Sequence, residues 1–266
     1  MKIGFIGAGN MASAIAGGMV HGSVLPPEQI LLYDPMMEKT RRLEKELGVR
    51  AMEDCAQMVG QCDMLVLAVK PAVAGGVLAQ LYAALSHKAL ISIAAGWTSD
   101  MLKGALEPST RVLRVMPNTP ALVGAGMTAL SLAHSLSDEE AAFAEKLFGA
   151  LGRVVWVQEH QMEAVIGLSG SGPAYVYMFI EAMADAGVAS GLPRAQAYEL
   201  AAQTVLGSAK MVLETGSHPG ELKDAVCSPA GTTIAAVRSL EKDGFRSAVM
   251  EAVLASTEKA LSMSRQ

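Results

Sequence analysis

The sequence predicts an α/β chain, with an N-terminal doubly wound parallel sheet covered by helices and an all-helical domain after it. Three observations carry this. Short apolar runs alternate with helical segments up to about residue 157. Runs such as LVLAV and LISIA are almost continuously apolar, as strands covered on both faces require. Beyond Glu159 the alternation stops. Strands are expected at 2–6, 30–33, 64–69, 89–93, 111–115, 127–131 and 154–157, with a weak one at 49–51. Among the intervening helices 36–47 is clear, and Ser137 followed by Asp138, Glu139 and Glu140 makes a capped, acidic helix start. After the last strand only Ala-rich helical stretches remain, at 161–189, 193–214, 232–240 and 245–263. The expected domains are therefore 1–159 and 160–266.

With 266 residues, 51% of them hydrophobic, the chain is long enough to bury two cores. A net charge of −5 offers no basic stripe for a phosphate backbone, so nucleic acid is not an expected partner. Aromatic residues make up only 5%, Met occurs 17 times and mean hydropathy is positive, which predicts apolar surface hidden between the subunits of a homo-oligomer. Cys55, Cys62 and Cys227 form neither a CxxC pair nor an even set, which points to reduced, buried thiols in a cytoplasmic protein rather than to disulfides or zinc. The five histidines are scattered without metal spacing, so no metal is expected. His160 and Glu163, one turn apart, read as an exposed helical pair. The uncharged stretch 3–20 loosely imitates a secretory signal, but its glycines and Asn10 fit a strand and a glycine turn better. Later apolar stretches are broken by Pro71, Glu181 or Asp185, short of the ~20 residues that span a bilayer, so no membrane association is expected.

The first expected strand runs into Gly7, Ala8, Gly9, Asn10, Met11 and Ala12. Gly7 allows a tight turn, Gly9 lets backbone approach a pyrophosphate, and Ala12 stands where a small residue permits close helix packing. Backbone amides at the helix start hold the phosphates without a basic side chain. Glycine turns are common, but this one follows a strand and opens a strand–helix–strand unit, which makes it a dinucleotide site. Asp34 ends the second strand, where an acid binds the ribose hydroxyls of NAD and repels the 2′-phosphate of NADP, with Lys39, Arg41 and Arg42 partly offsetting it. The structural alternative is that Asp34 caps the next helix. A methyltransferase using S-adenosylmethionine shares such a turn, but its glycine spacing is looser and nothing downstream resembles a methyl-acceptor site.

Two further loops fall at strand ends, where a doubly wound sheet places its ligands. One is Ala68, Val69, Lys70 and Pro71, with Lys70 either a helix-start cation or a contact to substrate or ribose; the other carries Asn118 between Pro117 and Pro120. In the helical half, Ser169-Gly170-Ser171-Gly172-Pro173 interrupts a helical pattern, as either a tight helix crossing or a kink facing a cleft. Cys227-Ser228-Pro229-Ala230-Gly231-Thr232-Thr233 is a turn feeding a new helix, with hydroxyls around its amides. A carboxylate fits on the amides of Gly231 and Thr232 with the Thr233 hydroxyl beside it, and the alternative is a plain Ser/Thr cap.

Together these motifs resemble the pyrroline-5-carboxylate reductase family along the whole chain. FIGAGNMA, AVKP, SIAAG, MPNTPALVGAGMT, GLSGSGPAYVYMFIEAMADAGV, LPRAQAY, GSAKMVLETGSHPGELKDAVCSP and GTTI stand in the family's order. The resemblance implies a Rossmann-like domain followed by an all-helical dimerisation and substrate-binding domain, intertwined homodimers that assemble further into a decamer, and a site shared between subunits. It implies hydride transfer from NADPH or NADH to the imine carbon of 1-pyrroline-5-carboxylate, giving L-proline. Ser228, Gly231 and Thr232 are carried over as the substrate-carboxylate cradle, and Thr233 as the catalytic hydroxyl beside the ring nitrogen. Ile6, Gly7, Ala8, Gly9, Asn10, Met11, Ala12, Asp34, Ala68, Val69, Lys70, Pro71, Ala94, Ala95 and Asn118 are carried over as the cofactor site. Two departures stand out: Ala230 replaces the first glycine of the family's PGGTT, and Asp34 occupies a position often held by a small hydroxyl residue. The alternatives are a related imine or β-hydroxyacid dehydrogenase, for which Lys210 or Lys223 would supply the catalytic lysine, and a non-catalytic dinucleotide-binding redox sensor.

Overall fold

The computed structural model describes residues 1–264. β1 (Ile3–Ile6) is followed by α1 (Asn10–His21), β2 (Ile30–Tyr33) by α2 (Met37–Leu47), and β3 (Arg50–Ala51) by α3 (Cys55–Gln61). β4 (Met64–Leu67) precedes α4 (Pro71–Leu81), and β5 (Ala89–Ser92) precedes α5 (Ser99–Gly104). β6 (Arg111–Met116), β7 (Gly126–Ser131), α6 (Asp138–Gly149) and β8 (Gly152–Val157) complete the sheet. Then come α7 (Met162–Val165), α8 (Gly172–Ala189), α9 (Arg194–Thr215), α10 (Pro219–Ala225), α11 (Thr232–Lys242) and α12 (Phe245–Met263).

All eight strands join one sheet in the order β3-β2-β1-β4-β5-β6-β7-β8. Every pairing is parallel except β6 with β7. The doubly wound parallel sheet expected from the sequence is thus present, with one antiparallel pairing added near its edge. The residues joining β6 to β7 hold only a 3-10 turn, Thr119–Val123, and a parallel crossover needs a dozen or more residues. Strand order reverses between β1 and β4, the crevice where such sheets bind ligands.

Alternation along the strands sends side chains to two cores. Ile3, Phe5, Ile30, Leu32, Val66, Ile91, Leu113 and Val115 pack with residues of α1, α2 and α6, and Ile6, Leu31, Leu65, Leu67, Leu90 and Val112 with residues of α3, α4 and α5. Each such side chain contributes about 1.5–3 kcal/mol on burial. α6 begins with the capping box expected there: Ser137 accepts from the Glu140 amide and the Glu140 carboxylate accepts from the Ser137 amide. Of the three thiols only Cys62 is buried, and burial pushes it up to about 11, so it stays a neutral thiol; Cys55 and Cys227 are half-buried.

The helical stretch expected at 161–189 is broken. α7 passes into π-helix over Ile166–Gly170, and α8 starts anew at Gly172. Such wide turns are rare and concentrate at functional sites. By compactness the chain forms two units, Met1–Ser171 with the chain from Ala255 onward, and Gly172–Leu254. Within the second unit, among the described residues, the fully buried apolar side chains are all alanines, Ala184, Ala197 and Ala201, where α8 meets α9. Tyr177, Met178, Leu206 and Met250 are 59%, 69%, 59% and 64% exposed. No helix among the described residues is long and apolar enough to cross a membrane.

Candidate functional site

The glycine turn lies at the C-terminal end of β1. Gly7 adopts φ +103°, and a Cβ there would stand 2.6 Å from the Ala68 carbonyl oxygen, so both conformation and space demand glycine. A Cβ on Gly9 would meet nothing within 4 Å, so the open side of the turn has room for a ligand. Gly9 is the N-cap of α1, with no side-chain cap and no acid in the first turn. Ala12 is fully buried, as close packing of the helix requires. The start of α1 therefore presents unpaired amides and the positive end of the helix dipole to open space, which suits a pyrophosphate.

Asp34 is buried and engaged. Its Oδ2 accepts the Ala8 amide at 2.9 Å, its Oδ1 accepts the Met36 amide at 2.9 Å, and Lys39 Nζ lies 3.4 Å away. It neither caps α2 directly, since Met36 is the N-cap, nor stands free. It braces the glycine turn.

The remaining cofactor residues read from the sequence gather along the same sheet edge. The Ala68 amide donates to the Ile6 carbonyl, and Ile93 to Leu67, which sets 68–71 beside the glycine turn and 94–95 beside that loop. Lys70 is the exposed N-cap of α4, with Pro71 in the first turn. A cation at this end of a helix is of the wrong sign for the dipole, so Lys70 is better placed to meet an anion than to stabilise α4. Asn118 is buried: its Oδ1 accepts the Met127 amide at 2.9 Å and its Nδ2 donates to the Ser169 carbonyl at 3.0 Å. It ties the start of β7 to the π-helical segment. Beside Ala95 and Gly96 lies a cavity of about 250 Å³, lined also by Ile166, Ser171, Ser256 and Lys259. Sequence reading missed Lys259.

It also missed the largest buried charge. Arg114 sits in β6 with its side chain 1% exposed, donating to Glu159 at 2.8 Å and Glu163 at 3.0 Å. Glu159 accepts from the Ser99 amide and hydroxyl and from the Ser131 hydroxyl. Burial pushes the Glu159 carboxyl up, but the hydrogen bonds from Ser131, Ser99 and Arg114 outweigh it and hold the group at about 2. The expected exposed pair of His160 and Glu163 is thus corrected, because Glu163 is buried against Arg114. The available signal was an arginine inside the apolar strand VLRVM, which buries only with carboxylate partners.

In the second unit Ser228, Gly231, Thr232 and Thr233 form one compact turn. The Gly231 amide donates to the Ser228 carbonyl at 3.0 Å across Pro229 and Ala230, and Ala230 adopts φ +59°. This is the pattern of a type II turn, whose third position favours glycine. A Cβ on Gly231 would clash with the Ser228 hydroxyl. The expected role of the Gly231 amide is corrected here, since that donor is spent inside the turn. The unspent donors are the first amides of α11, which has Gly231 as N-cap, no side-chain cap and no acid in its first turn. The Thr233 hydroxyl is half-buried and makes no hydrogen bond among the described residues. Lys210 and Lys223 are instead tied into surface ion pairs with Glu214 and Asp224.

Comparison with known proteins gives this geometry a lineage. Residues 159–263 match the family model for pyrroline-5-carboxylate reductase dimerisation, and residues 2–96 match that for NADP oxidoreductase, coenzyme F420-dependent. The chain is 49% identical to the pyrroline-5-carboxylate reductase of Escherichia coli (strain K12), over 99% of this chain and 98% of that one. It is 45% identical to that of Arabidopsis thaliana, over 99% and 96%. The crystal structure of Plasmodium falciparum pyrroline carboxylate reductase with NADP bound matches with a TM-score of 0.90 at 35% identity, covering 99% of this chain and 98% of that one. Identity at this level along the full length, with the same sheet and the same helical domain, means that this chain belongs to the pyrroline-5-carboxylate reductase family.

Proposed function

We propose that this protein reduces 1-pyrroline-5-carboxylate to L-proline with NADPH or NADH, and that two of its uncapped helix starts, those of α1 and α11, divide the work. The observation that carries the reading is this pair of turns, each opening a helix with neither cap nor acid, in a chain 49% identical over 265 residues to a named reductase. The amides of residues 9–12 receive the pyrophosphate, with Ile6, Gly7 and Ala8 forming the turn, Asp34 bracing it from the ribose end, and Ala68, Val69, Lys70, Pro71, Ala94, Ala95 and Asn118 continuing toward the nicotinamide. When bound, the dinucleotide would supply the hydride, from nicotinamide C4, that adds to the imine carbon of the substrate ring.

The protein's own contribution is orientation. Ser228 and the amides of Thr232 and Thr233 hold the substrate carboxylate, Gly231 leaves room for the Ser228 hydroxyl, and the Thr233 hydroxyl orients the ring nitrogen. Hydride addition to an already protonated imine yields the secondary amine directly, so no strong general acid is required. A hydroxyacid dehydrogenase would need a lysine in the helical half, and Lys210 and Lys223 are both held in surface ion pairs.

Functionally, residues 1–159 serve the dinucleotide and 160–266 serve substrate and self-association. The exposed apolar side chains of α8, α9 and α12 are proposed to close a homodimer, which in turn assembles into a decamer. The proposed setting is the cytoplasm, with neither nucleic acid nor membrane as partner. Steady-state oxidation of NADH and NADPH by purified protein with 1-pyrroline-5-carboxylate tests the activity, and no oxidation of either overturns it. Sedimentation tests the assembly, and a monomer at micromolar concentration overturns it.

A further inference from the structure

We infer that Glu159 is a positioning residue for the nicotinamide end of the site: held by Arg114, its carboxylate fixes the turn after β5 that carries Ala94 and Ala95. This rests on the reading of that turn as the place where the nicotinamide lies.

The turn hangs between two anchors. On one side the Trp97 indole Nε1 donates to the Pro71 carbonyl at 3.1 Å, which ties the turn to the 68–71 loop. On the other, Ser99 opens α5, and its amide and hydroxyl both donate to Glu159, at 3.0 and 2.8 Å. Glu159 arrives from 60 residues further along the chain, beyond β8. It also accepts from Arg114 on β6 and from the Ser131 hydroxyl at the end of β7. One carboxylate thereby joins the turn after β5 to the next two strands of the sheet. It does so at the start of α5, where the helix dipole favours an anion.

A carboxylate has room for about four donors, two on each oxygen. Glu159 is filled: Oε1 takes the Ser99 amide and Arg114, and Oε2 takes the two serine hydroxyls. It lines a cavity of about 400 Å³, yet its acceptor positions are spent within its own chain. With the carboxyl held at about 2, it moves no proton at neutral pH. What such a group can do is hold. Arg114 makes the hold stiff, because its side chain is 1% exposed and also donates to Glu163, so it cannot leave Glu159 without stranding a buried charge. Only Gly96, Trp97 and Thr98 separate Ser99 from Ala95. A reacting group misplaced by about 1 Å reacts on the order of a hundredfold more slowly, so the position of this turn bears on hydride transfer.

Glutamine at 159 offers one accepting oxygen in place of two, so Glu159→Gln frees the turn on its Ser99 side. Ser99→Ala removes the hydroxyl bond and leaves the Arg114 pair intact. Calorimetry of the full-length protein reads both without turnover, using NADPH and 2′-phospho-ADP-ribose, which lacks only the nicotinamide. The wild type is expected to bind NADPH the more tightly; equal affinity overturns the placement of nicotinamide on Ala94 and Ala95, and with it the inference. The NADPH dissociation constant is expected to rise about tenfold in Glu159→Gln and about threefold in Ser99→Ala, as loss of one or two hydrogen bonds implies, with that of the fragment unmoved. Ser131→Ala cuts the link to β7 and spares Ser99, so it is expected to lower the melting temperature and leave both constants in place. An NADPH constant unmoved in Ser99→Ala, or an equal loss for both ligands, overturns the positioning role even if Glu159→Gln fails to fold. Failure of the wild type to bind either ligand overturns instead the reading of the glycine turn as a dinucleotide site.

Discussion

The two turns that open α1 and α11 use the same chemistry in opposite surroundings. The first follows β1, whose residues are all buried, its positive φ carried by Gly7 and its amide at Ala8 held by a buried carboxylate. The second is an exposed turn in a unit that buries only alanines, its positive φ carried by Ala230. The difference teaches that one of the two proposed anion cradles is made rigid by its own chain, while the other carries local strain and large uncovered side chains around it. A left-handed alanine costs about 1–2 kcal/mol, which persists only where surroundings hold it.

The comparison is broken most severely at Gly7. Gly7→Ala places a methyl against the Ala68 carbonyl at a φ that L residues avoid, and is expected to cost about 3 kcal/mol and abolish dinucleotide binding. Urea unfolding followed by calorimetry checks this; wild-type values for both would mean that the turn is not rigid. Thr233→Ala sits at the other cradle and is expected to leave the urea midpoint in place while lowering kcat roughly 100-fold, about 2.7 kcal/mol of lost transition-state stabilisation. An unchanged kcat removes Thr233 from the chemistry.

A third effect is confined to the first unit. The Glu159 carboxyl is depressed to about 2, so its stabilisation is fully present above about 4.5, the value it takes unfolded, and is lost as pH falls toward 2. With 26% of the side chain open to solvent, the loss is about 1–2 kcal/mol, less than the full shift implies. A Glu159→Gln variant, already destabilised at pH 7, should show a shallower fall in melting temperature between pH 5 and 2; parallel curves would sink the assignment. The smallest expected effect has the opposite sign. Ala230→Gly relieves the left-handed alanine and should stabilise the second unit by about 1 kcal/mol at most, since glycine also loses more backbone entropy. A lower thermal midpoint would show that the surroundings are built for the alanine.

Much of the sheet was legible because its signals are local. Strands buried on both faces are mostly apolar, as LVLAV and ALIS are; a capping box needs only residues 137 and 140. The short helices α3, α5 and α10, of 6 or 7 residues, were not singled out, because one or two turns show too little periodicity. The buried Arg114 was overlooked for a different reason. Its partners lie 45 and 49 residues away, and nothing near Arg114 in the chain announces them.

From the chain alone come the order of strands and helices, the glycine positions of the dinucleotide turn and the hydroxyl-rich turn at 228–233, because each depends on neighbours within a few residues. Only the folded molecule decided that β7 runs antiparallel, that Asp34 grips Ala8 from 26 residues away, and that the Gly231 amide is spent on Ser228. The reason is the same in each case: backbone direction and hydrogen-bond partners are settled by which groups meet in space, and every donor used inside the fold is one fewer for a ligand.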